Sequence, residues 1–187
     1  MSLFRFRLPL AVLAPVLAAG CAMQAPPYQP ALDNVEILKK NASPAALGSF
    51  TVQAGGEGVV SIGLRGSPMR SPVGNDYAAY LANALSQELQ LAGKLDPKSK
   101  IVITGLLLKN DIAAGGISTN SGEIEAQFTV LNDGQERYRA THKAQMSWDS
   151  SFIGAVAIPR AQQQYPLMVQ KLLGQLMADA RFQAALK

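Results

Sequence analysis

The sequence predicts an α+β fold, a two-layer sandwich in which an antiparallel sheet of about four to five strands packs two helices on one face. Alternating apolar and polar residues indicate long strands, and apolar residues every three or four positions indicate two helices. One nearly uninterrupted apolar segment indicates a central strand. The chain has 187 residues, of which 48% are apolar and 16% are charged. This composition is typical of one domain with a packed core and excludes a disordered chain.

The first two strands are expected on either side of a glycine-rich loop. Phe50 and Val52 alternate with polar neighbours, and the segment 60–64 repeats the pattern after the loop at 55–58. A second loop is expected over 67–74, because this segment contains two prolines and a glycine. These two strands would precede the first helix.

The first helix is expected to begin at Asn75 or Asp76, since either side chain can accept hydrogen bonds from the free amides of a first turn. Gly93 is expected to end it. The apolar residues between these positions follow a helical spacing: Tyr77, Tyr80, Leu81, Ala84, Leu85, Leu89 and Ala92. The segment 101–108 is almost entirely apolar and predicts a central strand that is buried on more than one side.

Two further strands are expected to form a hairpin over 123–148, where the alternation is clearest. A two-residue turn at Asp133-Gly134 would place apolar side chains of one strand opposite polar side chains of the other, which the pleat forbids. A three-residue loop over 132–134 keeps the apolar side chains on one face. It predicts three cross-strand pairs: Phe128 with Tyr138, Ile124 with His142, and Glu123 with Lys143.

The second helix is expected to begin at Pro159, because proline is suited to a first turn. Pro166 would either kink this helix or make it restart. A short final turn is expected over 179–187. The apolar stripe of the second helix comprises Tyr165, Val169, Leu172, Leu173, Leu176, Met177 and Ala180.

The segment 149–158 connects the last strand to the second helix and is the candidate interaction surface. It has no charged residue after Asp149, and its large apolar residues are Phe152, Ile153, Val156 and Ile158. Two interpretations are open. The segment folds over the end of the sheet with Trp148 and Phe152 in the core, or it forms an exposed apolar patch for a protein or lipid partner.

Residues 1–20 have the organisation of an export signal peptide. Arg5 and Arg7 precede the twelve-residue apolar segment 8–19, and small residues come just before Cys21. The apolar segment is too short to cross a bilayer as a helix, which takes about 20 residues. The N-terminus is therefore predicted to direct export and then to be removed.

The run Leu17-Ala18-Ala19-Gly20-Cys21 resembles the lipobox of bacterial lipoproteins. In that family the signal peptide is cut before the cysteine, so the resemblance implies an acylated Cys21. Ala22 stands where an aspartate would retain a lipoprotein at the inner membrane, which implies an outer-membrane protein facing the periplasm. Three prolines predict that residues 21–32 are an extended tether, followed by a single periplasmic domain over 33–187.

The order of the elements is similar to that of two groups of small periplasmic lipoproteins, the YajG-type and the ABC-transport auxiliary lipoproteins. The similarity covers the helix that ends in Ala92-Gly93-Lys94-Leu95-Asp96, the three strands after it and the C-terminal helix. This resemblance implies a helper or binding role in the cell envelope. It transfers no site residue other than Cys21.

Charge and side-chain chemistry exclude several classes of function. The formal charge of +4 falls to +2 once Arg5 and Arg7 leave with the signal peptide, so nucleic-acid binding has no electrostatic basis. One cysteine and one histidine exclude a zinc site of the Cys/His type. His142 is expected on the apolar face of a strand, and Glu123 and Glu125 on a solvated face, so no catalytic residue is assigned.

The sequence therefore predicts a non-catalytic, membrane-anchored lipoprotein, without metal or cofactor, whose periplasmic domain binds or supports another envelope component. The alternative is a lipid-binding component of an envelope transport system, which would hold an acyl chain between the sheet and the helices. The expected partners are the membrane, through the lipid on Cys21, and an envelope protein or lipid.

Overall fold

The computed structural model describes residues 23–187, so the predicted signal peptide and Cys21 lie outside the described residues. The elements in chain order are β1 (Met23–Gln24), α1 (Leu32–Asn41), β2 (Ala46–Val52), β3 (Ile62–Leu64), β4 (Ser67–Arg70), α2 (Tyr77–Leu91), β5 (Ile101–Ala113), β6 (Thr119–Asn132), β7 (Gln135–Asp149), α3 (Gly154–Ala178) and α4 (Ala180–Ala185).

The strands form two sheets of mixed orientation. The larger sheet has four strands in the order β2-β5-β6-β7, and the smaller has three in the order β1-β4-β3. β2 runs parallel to β5, because β3, β4 and α2 intervene and return the chain to the same end of the sheet. The predicted α+β class is confirmed, whereas the prediction of a single antiparallel sheet is wrong.

Four helices, instead of the two predicted, accompany the sheets between residues 23 and 187. α2 and α3 pack on the larger sheet, and α1 packs on these two helices. Between α3 and the sheet lie fully buried side chains such as Phe128 and Leu172. A Cβ atom at Gly122 would collide with Sδ of Met168, so glycine at this position lets α3 approach the sheet closely. The predicted two-layer sandwich is therefore matched only in part.

The first predicted helix and the central strand are found at the expected places. The side chain of Asp76 accepts a hydrogen bond from the backbone nitrogen of Ala78 at 2.8 Å and so caps α2. Gly93 follows the helix with a φ of 68°, which glycine adopts without strain. β5 lies between β2 and β6, and its side chains alternate between buried and half-buried positions.

The hairpin of β6 and β7 has a two-residue turn at Asp133 and Gly134, which the alternation of side chains had disfavoured. Asp133 and Gly134 form a two-residue turn with φ angles of 49° and 77°, and Asn132 lies opposite Gln135. An irregularity next to the turn leaves Arg137 without a cross-strand partner, and this extra residue restores the alternation. The predicted loop over 132–134 is therefore wrong. The observed pairs are Phe128 with Ala140, Ile124 with Ala144, and Glu123 with Gln145.

The predicted loop over 67–74 contains a strand. β4 pairs with β3, Leu64 opposite Ser67, through a tight turn at Arg65 and Gly66. Both turn residues have positive φ angles, 52° and 86°, which explains the glycine there. β3 is shorter than the expected strand over 60–64, since it begins at Ile62 and not at residue 60.

α3 begins five residues earlier than predicted, at Gly154, and continues through Pro166. The cause is the spacing of buried residues. Ala157, Ala161 and Tyr165 lie four positions apart and all face the core with no exposed surface. The buried stripe of α3 thus starts before Pro159, and the packing of this stripe holds the first turns in helical form.

Residues 23–31, which we call the entry segment, differ from the predicted free tether. They are extended, as the prolines suggest, but they lie against the domain. Ala25 and Tyr28 are buried in the same hydrophobic core as the helices. The apolar side chains of Ala25 and Tyr28, which adjoin the prolines, explain the difference, because they remove more surface from water when packed than when held in a tether.

Candidate functional site

Three connections meet at one end of the larger sheet. They are the β3–β4 turn, the β5–β6 loop at 114–118 and the β7–α3 connection at 150–153. The guanidinium of Arg65 joins them: it donates to the carbonyl oxygens of Ala114 at 2.9 Å, Gly116 at 2.8 Å, Ser151 at 2.7 Å and Phe152 at 3.0 Å. These bonds satisfy four carbonyl oxygens that do not belong to the sheet ladders.

Large apolar side chains are exposed at this end. The exposed fractions are 68% for Ile117, 79% for Phe152, 61% for Ile153 and 39% for Val156. We call these four residues the apolar end. The interpretation that places Phe152 in the core is wrong, whereas Trp148 does pack against the core. Ile158, the fourth residue of the predicted partner surface, is half-buried and also packs against the core.

The apolar end is almost free of charge. The segments 58–68, 112–122 and 150–159 together contain one charged residue, Arg65, although charged residues make up 16% of the chain. Exposed charges border these segments: Glu57, Arg70, Asp149 and Arg160. An uncharged apolar surface of this kind is typical of a site that contacts a partner or a membrane.

The entry segment follows α3 away from the apolar end. Met23 pairs with Met69 in the parallel pair of β1 and β4. Gln162 donates to the carbonyl oxygen of Gln24 at 3.3 Å, and Gln170 donates to that of Gln29 at 2.7 Å. The chain therefore runs in the same direction as α3, and its first described residues lie nearest to the N-terminal half of that helix.

A buried carboxyl group holds the entry segment. Oε1 of Glu88 accepts hydrogen bonds from the hydroxyl of Tyr28, from the backbone nitrogen of Ala31 at 3.2 Å and from Nδ2 of Asn34 at 3.0 Å. Oε2 has no hydrogen-bond partner among residues 23–187. Burial raises the pKa of Glu88, and the three donors oppose this shift. The network is structural, because its donors lie in the entry segment (Tyr28 and Ala31) and in α1 (Asn34), which it fastens to α2.

The single histidine lies in the middle of β7 and faces the start of α4. His142 is mostly buried on β7, and its Nε2 is 3.9 Å from Oδ2 of Asp179. Asp179 also accepts from Nη2 of Arg181 at 3.1 Å and from the hydroxyl of Tyr138 at 2.9 Å. The side chain that bonds to His142 is thus a tyrosine, so these contacts provide no serine or cysteine nucleophile.

The two carboxylates considered for acid–base chemistry lie on the solvated face of the sheet. Oε1 of Glu123 is 2.9 Å from Nζ of Lys143 and 3.4 Å from Nζ of Lys109. These lysines lower the pKa of Glu123 together with a hydrogen bond from Gln145, which is the largest cause. Glu123 is therefore ionised, as expected for a charged surface.

Two further properties concern the described part of the chain as a whole. None of its helices is long and apolar enough to cross a membrane. Within the same residues, His, Asp and Glu side chains form no group of three that is placed to hold a metal ion. Cys21, the predicted site of acylation, lies before the first described residue, so the structure does not place it.

No family model and no curated protein matches the sequence, whereas solved structures match the chain at low identity. A DUF330-family protein from Xanthomonas campestris has a TM-score of 0.51 at 12% identity, over 83% of this chain and 94% of its own. A candidate lipoprotein from Caulobacter crescentus has a TM-score of 0.46 at 12% identity, over 82% and 96% of the two chains. A minor lipoprotein from Acinetobacter baumannii has a TM-score of 0.42 at 10% identity, over 73% and 91%. The Xanthomonas protein shows a shared fold, and the resemblance to YajG-type lipoproteins stays a prediction.

Proposed function

We propose that the protein is a lipid-anchored lipoprotein of the bacterial envelope, and that its domain acts by binding another envelope component. The observation that carries the proposal is the exposed, uncharged apolar end. The predicted signal peptide and the lipobox-like run ending at Cys21 precede this domain in the chain. An acylated cysteine would attach the domain to a membrane, and the apolar end supplies a surface for contact.

Binding, and not catalysis, is supported by the polar clusters. Three polar clusters of the described chain, apart from the charged surface around Glu123, are occupied by structural bonds. Arg65 joins three connections, Glu88 fastens the entry segment, and Asp179 caps α4 while it bonds to Tyr138. None of them presents a serine, threonine or cysteine nucleophile beside a base.

The alternative, an acyl chain held between sheet and helices, has less support. The side chains in that space are fully buried against one another, among them Phe128, Tyr165, Leu172 and Leu173. An acyl chain would have to displace this packing. Location at the outer membrane is part of the proposal and rests on Ala22 after the cysteine.

Labelling in living cells tests the proposal. The full chain is expected to incorporate a palmitate label, to lose it in Cys21→Ser, and to sediment with outer membranes. A photoreactive residue replacing Phe152 is expected to cross-link to a protein or a phospholipid of the envelope. The same replacement at Leu32, which is 71% exposed at the start of α1, is the matched control. Absence of acylation, or equal cross-linking at both positions, would contradict the proposal.

A further inference from the structure

We propose that the apolar end lies directly on the bilayer that holds the acyl chains of Cys21, so that the domain stands on the membrane in a fixed orientation. This inference rests on the proposed function, because it takes the acylation of Cys21 from there. It replaces the expected picture of a domain held away from the membrane by an extended tether.

Only a very short stretch of chain separates the acylated cysteine from the folded domain. Cys21 precedes Met23 by two peptide units, so their Cα atoms are at most about 7.6 Å apart. Met23 is already fixed in β1, and the backbone nitrogen of Ala25 donates to the carbonyl oxygen of Arg70 at 2.8 Å. An acylated Cys21 would therefore hold the domain at the membrane surface.

The entry segment runs away from the apolar end as it enters the domain. β1 runs parallel to β4, and β4 begins at the turn of Arg65 and Gly66, next to the apolar end. The pairing of Met23 with Met69 lies only two residue pairs from Ser67, which follows this turn. The chain thus enters the domain from the side of the apolar end, so the anchor and the apolar side chains lie on the same side of the domain.

The loops at the apolar end can leave water at a low cost in unsatisfied hydrogen bonds. Carbonyl oxygens without partners are costly in a bilayer, and loops normally expose several of them. Here Arg65 donates to those of Gly116, Ser151 and Phe152. Oγ of Ser150 also donates to Gly116, at 2.8 Å. The loops can therefore lose water while these carbonyl oxygens keep their hydrogen bonds.

The distribution of charge favours a bilayer over a protein as the occupant. Protein interfaces have a polar rim with about one hydrogen bond per 100–200 Å². The three segments that carry the apolar end contain one charged residue, Arg65, which is already bonded to carbonyl oxygens. Exposed Arg70 and Arg160 lie just beyond the apolar side chains, where they would meet lipid phosphates, and the exposed acidic residues bordering the same segments are Glu57 and Asp149.

The opposite end of the domain carries exposed cationic side chains instead of apolar ones. It lies about 40 Å away, the length of the thirteen-residue strand β5. A depression of about 470 Å³ there is lined by Arg137, Arg181 and Lys187. A domain standing on its apolar end would present this cationic surface to the periplasm, away from the membrane.

Fluorescence on the acylated full-length product tests the inference. Acylation blocks the thiol of Cys21, so Phe152→Cys introduces one reactive thiol for an environment-sensitive dye. The protein is reconstituted in vesicles of phosphatidylethanolamine and phosphatidylglycerol, some with nitroxide groups on their acyl chains. We expect a blue-shifted emission at position 152 and its loss with the nitroxide lipids. Ile117→Cys, on a different loop of the same end, is expected to behave alike.

Leu32→Cys is the control, because Leu32 is 71% exposed but lies beyond Gln170, about 24 Å along α3 from Gly154. Its dye should emit as in water. Water-like emission at 152 and 117 in protein whose acylation is verified by mass would overturn the inference and leave the proposed function intact. Cross-linking of position 152 to a protein in cells would also overturn it. Absence of acylation would instead contradict the proposed function.

Discussion

The hydroxyl oxygen of Tyr138 lies 2.6 Å from Nε2 of His142, four residues further along the edge strand β7. Tyr138 has one hydroxyl proton, and it donates this proton to Oδ2 of Asp179 at 2.9 Å, because a carboxylate can only accept. His142 must therefore be the donor to Tyr138, which assigns the proton of the neutral ring to Nε2. A histidine that donates here has a structural role.

This assignment predicts how stability depends on pH near neutrality. Burial lowers the pKa of His142 below its usual 6.5, the Asp179 carboxylate opposes the shift, and Arg181 adds to it. The unfolded chain therefore takes up a proton at His142 before the folded chain does. The free energy of unfolding should fall as the pH drops from about 7.5 towards 5.5.

His142→Gln is expected to flatten this slope in urea unfolding followed by circular dichroism. The amide nitrogen of glutamine can still donate to Tyr138, so the loss at pH 7.5 should be about 1 kcal/mol. An unchanged slope would show that His142 titrates as in the unfolded chain. Loss of a hydrolytic activity in a folded variant would contradict the non-catalytic proposal.

Asp179 predicts a second pH effect, in acid. The hydrogen bond from the side chain of Arg181 is the main cause that lowers the pKa of Asp179 from 3.8 to about 2, and Tyr138 contributes. A lowered carboxyl pKa stabilises the fold above the unfolded value, and this stability is lost as the pH falls from 3.8 towards 2. Asp179→Asn should be less stable than the wild type at pH 5 and nearly equal to it at pH 2. A constant difference in urea midpoint between these pH values would refute this.

The buried bond between Tyr28 and Glu88 predicts that one hydroxyl stabilises the entry segment. Tyr28→Phe removes a donor from a buried carboxyl group and should cost about 1–3 kcal/mol in urea unfolding. Amides of residues 25–31 should exchange hydrogen faster than in the wild type. Tyr77→Phe is the matched control, because its hydroxyl donates to the carbonyl oxygen of Met69 at 2.9 Å and not to Glu88. Faster exchange of residues 25–31 in both variants would argue against a specific role of Glu88.

Much of the fold follows from local signals. The helix over 77–91 is predicted correctly because the capping Asp76, the apolar spacing and Gly93 all agree. The dry face of the hairpin is also predicted, but its turn is not. A bulge at Arg137 and a longer loop satisfy the same alternation, and the choice between them depends on turn geometry that the pattern does not contain.

The residues that organise the site were missed for a different reason. Arg65, in the β3–β4 turn, binds carbonyl oxygens of two other connections that are far away in the chain, and no local pattern reports such contacts. Glu88 did leave a signal: it lies between Leu85 and Leu89 in the apolar stripe of α2, where a solvated carboxylate is not expected. The parallel entry of β1 depends on long-range pairing and has no local signal at all.

Ile153 distinguishes a surface role from a packing role. Ile153→Asp places a charge on a residue that is 61% exposed and that occupies the N-cap of α3 without a side-chain hydrogen bond. Aspartate is a favoured N-cap residue, so the melting temperature should stay equal or rise. Contact of the apolar end with its partner should be lost, measured as reduced cross-linking at position 152.

Leu32→Asp is the control for this substitution, since Leu32 is also exposed and also stands at a helix start. It should leave the cross-linking unchanged. A strongly lowered melting temperature in Ile153→Asp alone would show that the segment is held by packing, contrary to its exposure. The pair of variants thus separates the partner surface from general effects of a new acidic residue.

The final prediction concerns what holds the protein to the membrane. Cys21→Ala should give a folded domain that keeps its signal peptide and stays at the inner membrane, because no acylated cysteine directs cleavage. A chain that begins at residue 22 behind an ordinary secretory signal should be released into the periplasm. Even one myristoyl chain binds membranes only marginally, and the apolar end offers only four partly exposed side chains for contact. Fractionation after osmotic lysis and a high-salt wash measures the outcome. Tight retention of this unacylated form would show that the apolar end binds an envelope protein strongly, and would refute an attachment by acyl chains alone.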